Sequence, residues 1–158
     1  MPVAARGIVN PMLLLEIGLL GPPLIRCQNR ELSIAARKSA ALLYYLAAHP
    51  GRSLNRSQLA ALLWEEHSEA EGRNNLSTAL SRLRHSLTTL PSFPIVSVGD
   101  NVLWQTGPEV QTDLDRFEEL TRLSGDAQDV HRLEAAVALW RGPFLDGFEI
   151  RDNVAYEE

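Results

Sequence analysis

Between Gly72 and Gly99 the chain carries Arg73, Arg82 and Arg84 and no acidic residue. Interleaved with these arginines are Asn74, Asn75, Ser77, Thr78, Ser81 and His85. Arginine offers a planar fork of donors that pairs with a guanine edge or a phosphate. An asparagine amide matches adenine, and a Ser or Thr hydroxyl serves base or phosphate. Leucines run through the same stretch at 76, 80, 83, 87 and 90, so the steps alternate between four and three residues and all five share one narrow helical face. At about 100° per residue, the opposite face holds Asn74, Thr78, Ser81 and His85. Arg82 and Asn75 lie on one flank of that face, and Arg73, Ser77 and Arg84 on the other, nearer the leucines. A solvated helix of this length ordinarily mixes both signs of charge. The pattern therefore fits a helix that buries its leucines and turns a polar, acid-free face to an anionic partner. A merely exposed polar helix is the plainer alternative.

Such a helix needs a scaffold, and the flanking sequence supplies one. Ala40, Leu43, Leu46 and Ala47 predict a first helix from Ala36 to His49, stopped by Pro50-Gly51. Asn55 suits the N-cap of a second helix, with Gln58 placed to reach back to it and Leu59, Leu62 and Leu63 as its apolar stripe to Trp64. A short acidic connector holding Glu65, Glu66, Glu69, Glu71 and Gly72 leads into the third helix, which Pro91 and Pro94 close. Ile95–Val98 and Val102–Gln105 then flank Gly99-Asp100-Asn101, a three-residue hairpin loop. Three helices followed by a hairpin is the order of a winged helix-turn-helix, with the hairpin as wing. Asn101 joins the candidate interface by its position in the wing, while Trp104 reads as core.

Upstream, residues 12–20, 24–28 and 31–34 read as short strands of an antiparallel sheet, punctuated by Gly21-Pro22-Pro23. Downstream of Gly107-Pro108 the character changes to an acidic helical hairpin. Its first helix carries Leu114, Phe117, Leu120 and Leu123, and its second carries Val130, Leu133, Val137 and Trp140 before Gly142-Pro143. The fold class is α+β. The expected organisation is a flexible N-terminus over 1–11, a winged-helix domain over 12–107 and a second, all-α module over 108–158.

The charge follows that division. The whole chain has a net charge of −5, but residues 1–107 sum to +3 and residues 108–158 to −8. Two modules with different partners explain this better than one uniform surface. The single cysteine, Cys27, excludes an internal disulfide and a multi-cysteine zinc site, and reads as a small hydrophobe. His49, His67, His85 and His131 have no metal-ligand spacing, and there is no phosphate-binding glycine loop. No enzymatic role, cofactor or metal is expected. Glu16 interrupts the apolar run from Met12, so neither a spanning helix nor a signal peptide is expected, and the cytoplasm is the default compartment.

Several segments match a known pattern. ArgLysSerAlaAlaLeuLeu (37–43), LeuAlaAlaHisProGlyArg (46–52), LeuAlaAlaLeuLeuTrp (59–64) and the third helix with its SerArgLeuArg segment (81–84) resemble the DNA-binding domain of the antibiotic regulatory protein class of bacterial activators. That domain is an OmpR-type winged helix with an N-terminal sheet. ThrAspLeuAspArgPhe (112–117) and AlaLeuTrpArgGlyProPheLeuAspGlyPhe (138–148) look like the opening of the bacterial transcriptional activator domain, a TPR-like module of stacked helical hairpins. In that family the module is longer than the segment beyond Gly107, so the chain is expected to be the front part of a longer regulator.

The resemblance implies roles for individual positions. The third helix enters the major groove, Arg82 reads a base, and Arg84 with the polar residues at the helix start contacts phosphates. In the wider OmpR-type class the loop between the second and third helices can touch RNA polymerase. Here its glutamates at 65, 66, 69 and 71 suit a basic polymerase surface, and simple solubility of an exposed turn is the alternative. Two copies sit side by side on direct repeats. The expected function is a sequence-specific regulator of transcription, an activator, bound to double-stranded DNA. The alternative is a protein-interaction module in which the winged helix is only a scaffold and the helical hairpin of 113–142 docks a partner.

Overall fold

A computed structural model describes residues 13–122 and 129–149. In chain order the elements are β1 (Leu15–Gly18), β2 (Leu24–Cys27), β3 (Arg30–Glu31), α1 (Arg37–Ala48), β4 (Leu54–Asn55), α2 (Arg56–Leu63), α3 (Glu69–Ser86), β5 (Ile95–Val98), β6 (Asn101–Trp104), β7 (Val110–Thr112), α4 (Asp113–Thr121) and α5 (Asp129–Leu139). The class is α+β, as the sequence predicts. Contacts divide the chain into two compact units: Ser33–Thr106 form the body of one, and the segment up to Leu32 joins Gly107–Phe148 in the other.

The first of these is the winged helix. Asn55 caps α2 as predicted, its side-chain oxygen accepting from the Ser57 backbone N–H at 2.9 Å, while Gln58 stays exposed. The leucine face of α3 closes the core against α1 and α2: Leu76, Leu83 and Leu87 are fully buried, as are Leu43, Leu46, Leu59 and Leu63 of the same unit. Trp104 is also fully buried, as its reading as core requires. Strands β4, β6 and β5 form an antiparallel sheet in that order.

Three boundaries depart from the sequence reading. The third helix begins at Glu69, so Glu69, Glu71 and Gly72 belong to its first turn and not to a connector. Ser68 and Glu71 make a reciprocal capping box, and the acidic residues suit the positive helix start. Its far end comes early: Leu87 is the C-cap and Leu90 lies beyond the helix, although both remain buried. The hairpin loop is shorter than three residues, because Asn101 pairs with Val98 in the ladder and only Gly99-Asp100 turn the chain. Gly99 supplies the positive φ, +58°, that such tight hairpins need.

The second unit is built on a four-stranded sheet in the order β3-β2-β1-β7. Leu15 and Ile17 of β1 are buried and Glu16 is exposed, the alternation of a half-covered strand. β1 pairs antiparallel with β2 and parallel with β7, in the register Leu15↔Val110 and Ile17↔Thr112. Neither β7 nor the two-residue β4 is evident from the sequence pattern. The N-terminal strands are thus completed by a strand beyond Gly107. The chain passes between the units at Leu32–Ser33, Thr106–Gly107 and Phe148–Glu149, so the N-terminal strands group with the segment from Gly107 and not with the winged helix.

From β7 the chain runs directly into α4, capped by a Thr112–Asp115 box. The buried Asp113 carboxylate accepts from the backbone N–H groups of Leu19 and Leu20 at 2.7 and 2.9 Å, with Arg141 at 3.7 Å. Leu120 and Ala136 are buried. The apolar stripe of α5 faces outward instead: Val130, Leu133 and Val137, with Trp140 just after the helix, are between 44% and 69% exposed. The predicted flexible segment 1–11, Leu123 of the predicted helix and everything after Glu149 lie outside the described residues.

Candidate nucleic-acid interface

The surface of α3 sorts the predicted residues by exposure. Asn74, Ser77, Thr78, Ser81, Arg82, Arg84 and His85 are exposed, while Arg73 and Asn75 are half-buried. Leucine packing sets this orientation, since placing Leu76, Leu80 and Leu83 inward leaves residues 74, 78, 81 and 85 pointing out. The Thr78 hydroxyl donates back to the Asn74 carbonyl at 3.1 Å, the usual local bond of a helical threonine.

Arg73 is committed inside the domain. Its two terminal nitrogens donate to both carboxylate oxygens of Asp100, at 2.5 and 3.1 Å, and one also donates to the Ser57 hydroxyl at 2.8 Å. The fork therefore joins the start of α3 to the tip of the wing and to α2. Asn55 adds a bond to Asp100 at 3.3 Å, and the Asp100 carbonyl accepts from the Arg56 backbone N–H at 3.0 Å. The side-chain bond from Arg73 is the main reason that the Asp100 carboxyl is held below the usual carboxylate range. Asn101, predicted in the wing turn, is half-buried and sits in the ladder opposite Asn55 and Val98.

Arg82 and Arg84 differ from Arg73 in this respect. No carboxylate lies within ion-pair distance of either among the described residues. The Arg84 guanidinium lies over the Phe93 ring, 4.7 Å from its centroid, which fixes its direction without neutralising it. Sequence reasoning did not single out Arg56, which opens α2 and donates to the Ser97 hydroxyl of β5 at 3.1 Å. A signal was present: a cation in the first turn of a helix is disfavoured by the helix dipole, so its charge calls for another use. Arg56 and Arg84 both line a cleft of about 220 Å³ between α3 and β5, together with Ser77, Ser81 and Ser97 and the apolar Leu80, Phe93 and Ile95.

The acidic residues predicted as one loop are split. Glu65 and Glu66 are exposed in the turn after α2, and Glu69 and Glu71 are exposed on the first turn of α3. Glu69 accepts from the Ser57 hydroxyl at 3.0 Å, and Glu71 closes the capping box.

Residues 30–98 match the family described as transcriptional regulatory protein, C terminal. The chain is similar to the solved structure of Mycobacterium tuberculosis EmbR in complex with a low-affinity phosphopeptide. The likeness has a TM-score of 0.75 and 25% identity over 91% of this chain. This chain spans 40% of the length of that one. No curated protein matches. The family match and the fold together support a DNA-binding regulator of transcription. No helix among the described residues is long and apolar enough to cross a membrane.

Proposed function

We propose that this winged helix binds double-stranded DNA in a sequence-specific manner, as part of a transcriptional activator. The observation that carries the reading is the outward face of α3, where Asn74, Ser81, Arg82 and His85 are exposed and no acidic residue intervenes after Glu71. A helix of this kind fits the major groove with its side chains against base edges. Arg82 is the base reader, because it is exposed and no carboxylate competes for its fork. The wing lies on the backbone or the minor groove. Glu65 and Glu66, exposed in the turn between α2 and α3, face RNA polymerase, and two copies bind side by side on direct repeats. The segment from Asp113 onward opens an activator module.

The test is selection of bound duplexes from a random pool, followed by footprinting with Arg82 and Asn74 variants. A recurrent motif, repeated at a fixed spacing, is the expected result. Failure to bind any duplex at low salt overturns the reading, because phosphate contacts alone give measurable affinity under those conditions.

The exposed apolar stripe of α5 favours a second reading, in which the helical hairpin docks a protein and the winged helix serves as scaffold. Clustered apolar exposure of this kind marks interaction surfaces. A salt titration separates the two, since only DNA binding weakens linearly in log K against log salt.

A further inference from the structure

We infer that the cleft between α3 and β5 seats one phosphodiester of the bound duplex, gripped by Arg56 and Arg84 from its two sides. This rests on the DNA-binding reading and adds to it a site and a cation from outside α3. Four observations converge. The cleft holds about 220 Å³, is open to solvent, and has two guanidinium groups and no carboxylate on its walls. Ser77 and Ser81 from α3 and Ser97 from β5 line it too, and hydroxyls are common donors to phosphate oxygens.

Both cations are oriented in advance by neutral groups. Arg56 is held by the Ser97 hydroxyl at 3.1 Å and Arg84 by the face of Phe93. Their charge stays available for an anion, and less side-chain freedom is lost when one binds. The contrast with Arg73 is instructive. Asp100 lies close enough to attract Arg56, yet both of its carboxylate oxygens are taken by Arg73, so it serves that pair and does not close the cleft.

A phosphate is favoured over a base edge for a geometric reason. The cleft lies on the flank of α3 beside the wing strand, reached by Ser77 and Arg84 with Ser81 at its edge, whereas Asn74, Thr78 and His85 define the outward crest. A major-groove helix keeps its crest on the bases and its flanks against the sugar–phosphate strands. Two forked donors and several hydroxyls also suit the non-bridging oxygens of a phosphodiester.

The test measures affinity for a selected duplex and for a random duplex as salt is raised, with wild type, Arg56→Gln, Arg84→Gln and the double variant. The double variant should weaken both duplexes by the same factor and lower the slope of log K against log salt by about 1. The two single losses should not add, because both groups hold one phosphate. Arg56→Lys with Arg84→Lys should restore the slope, which separates lost charge from a disturbed fold. A scan of single methylphosphonate substitutions in the selected duplex gives a readout independent of folding: one position should weaken wild-type binding and have no further effect on the double variant.

Wild-type binding with slope and affinity unchanged in the double variant overturns the cleft assignment and leaves the DNA-binding reading standing. A loss confined to the selected duplex overturns it too, since that is the mark of base reading. No binding of wild type to any duplex at low salt overturns both.

Discussion

Gly72 of α3 rests directly on Ala60 of α2: a β-carbon added at Gly72 would stand 3.3 Å from the Ala60 β-carbon and 3.6 Å from its carbonyl oxygen. This contact is the crossing point of the helix-turn-helix, and it sets how far α3 projects from the domain. An alanine there demands a shift of a few tenths of an ångström but gains helix propensity of about 1 kcal/mol over glycine, so Gly72→Ala should stay within about 1 kcal/mol of wild type. Gly72→Leu has no room and should lose about 1–3 kcal/mol by overpacking, read by denaturant unfolding.

The Arg73–Asp100 pair predicts an acid titration. Asp100 ionises more readily in the folded chain than in the unfolded one, with its bond from Arg73 as the main cause. Its contribution to stability is therefore present above the unfolded carboxylate pKa and is lost as pH falls through the lower, folded value. Carboxyl-detected NMR should show Asp100 titrating below ordinary aspartates, and Arg73→Gln should bring it back toward them. An unshifted Asp100 in wild type would remove the pair from solution.

Removing the exposed, unpaired fork at position 82 should act on recognition alone. Arg82→Ala is expected to cost about 1–3 kcal/mol at the selected duplex and to leave affinity for random duplex nearly unchanged. Equal losses on both would reassign Arg82 to the backbone.

In the other unit, Asp113 is the position least tolerant of change. Asp113→Ala strands the buried N–H groups of Leu19 and Leu20, each worth about 1–3 kcal/mol when left unsatisfied. Thermal or denaturant unfolding should show a loss of several kcal/mol, with Asp113→Asn intermediate because it keeps one acceptor.

Substitutions on the α5 stripe should behave in the opposite way. Val137 is 69% exposed, so Val137→Ser should change stability by no more than about 0.5 kcal/mol. A larger loss would mean that the residue is covered in solution.

Periodicity made the helices legible. Leucines at steps of three and four, Asn55 before the apolar run of α2 and Pro91 and Pro94 after α3 are local signals, and α1, α2 and most of α3 follow from them. The same period separated the exposed face of α3 from its core face without any structure. Ends were less legible, because a capping box at Ser68–Glu71 competes with the glycine signal at Gly72, and only the fit against Ala60 shows why that glycine stands inside a helix.

What the sequence determined by itself was this covalent order and the chemistry of each face: which residues are apolar, which side of α3 is free of acid, where chains turn. What only the tertiary structure decided was pairing between residues remote in sequence. Arg73 is one of the candidate DNA contacts by sequence, and only the fold brings Asp100, 27 positions on, to hold it. Arg56 carries no signal of its partners in the sequence, and only the fold brings Ser97 of β5 beside it and Arg84 into the same cleft. The strand at Val110–Thr112 and the Asp113 cap on Leu19 and Leu20 join segments more than 90 residues apart. Local sequence carries the preference of each segment for helix or strand, but a hydrogen bond across such a separation depends on where the whole chain places its ends, and no spacing rule encodes that.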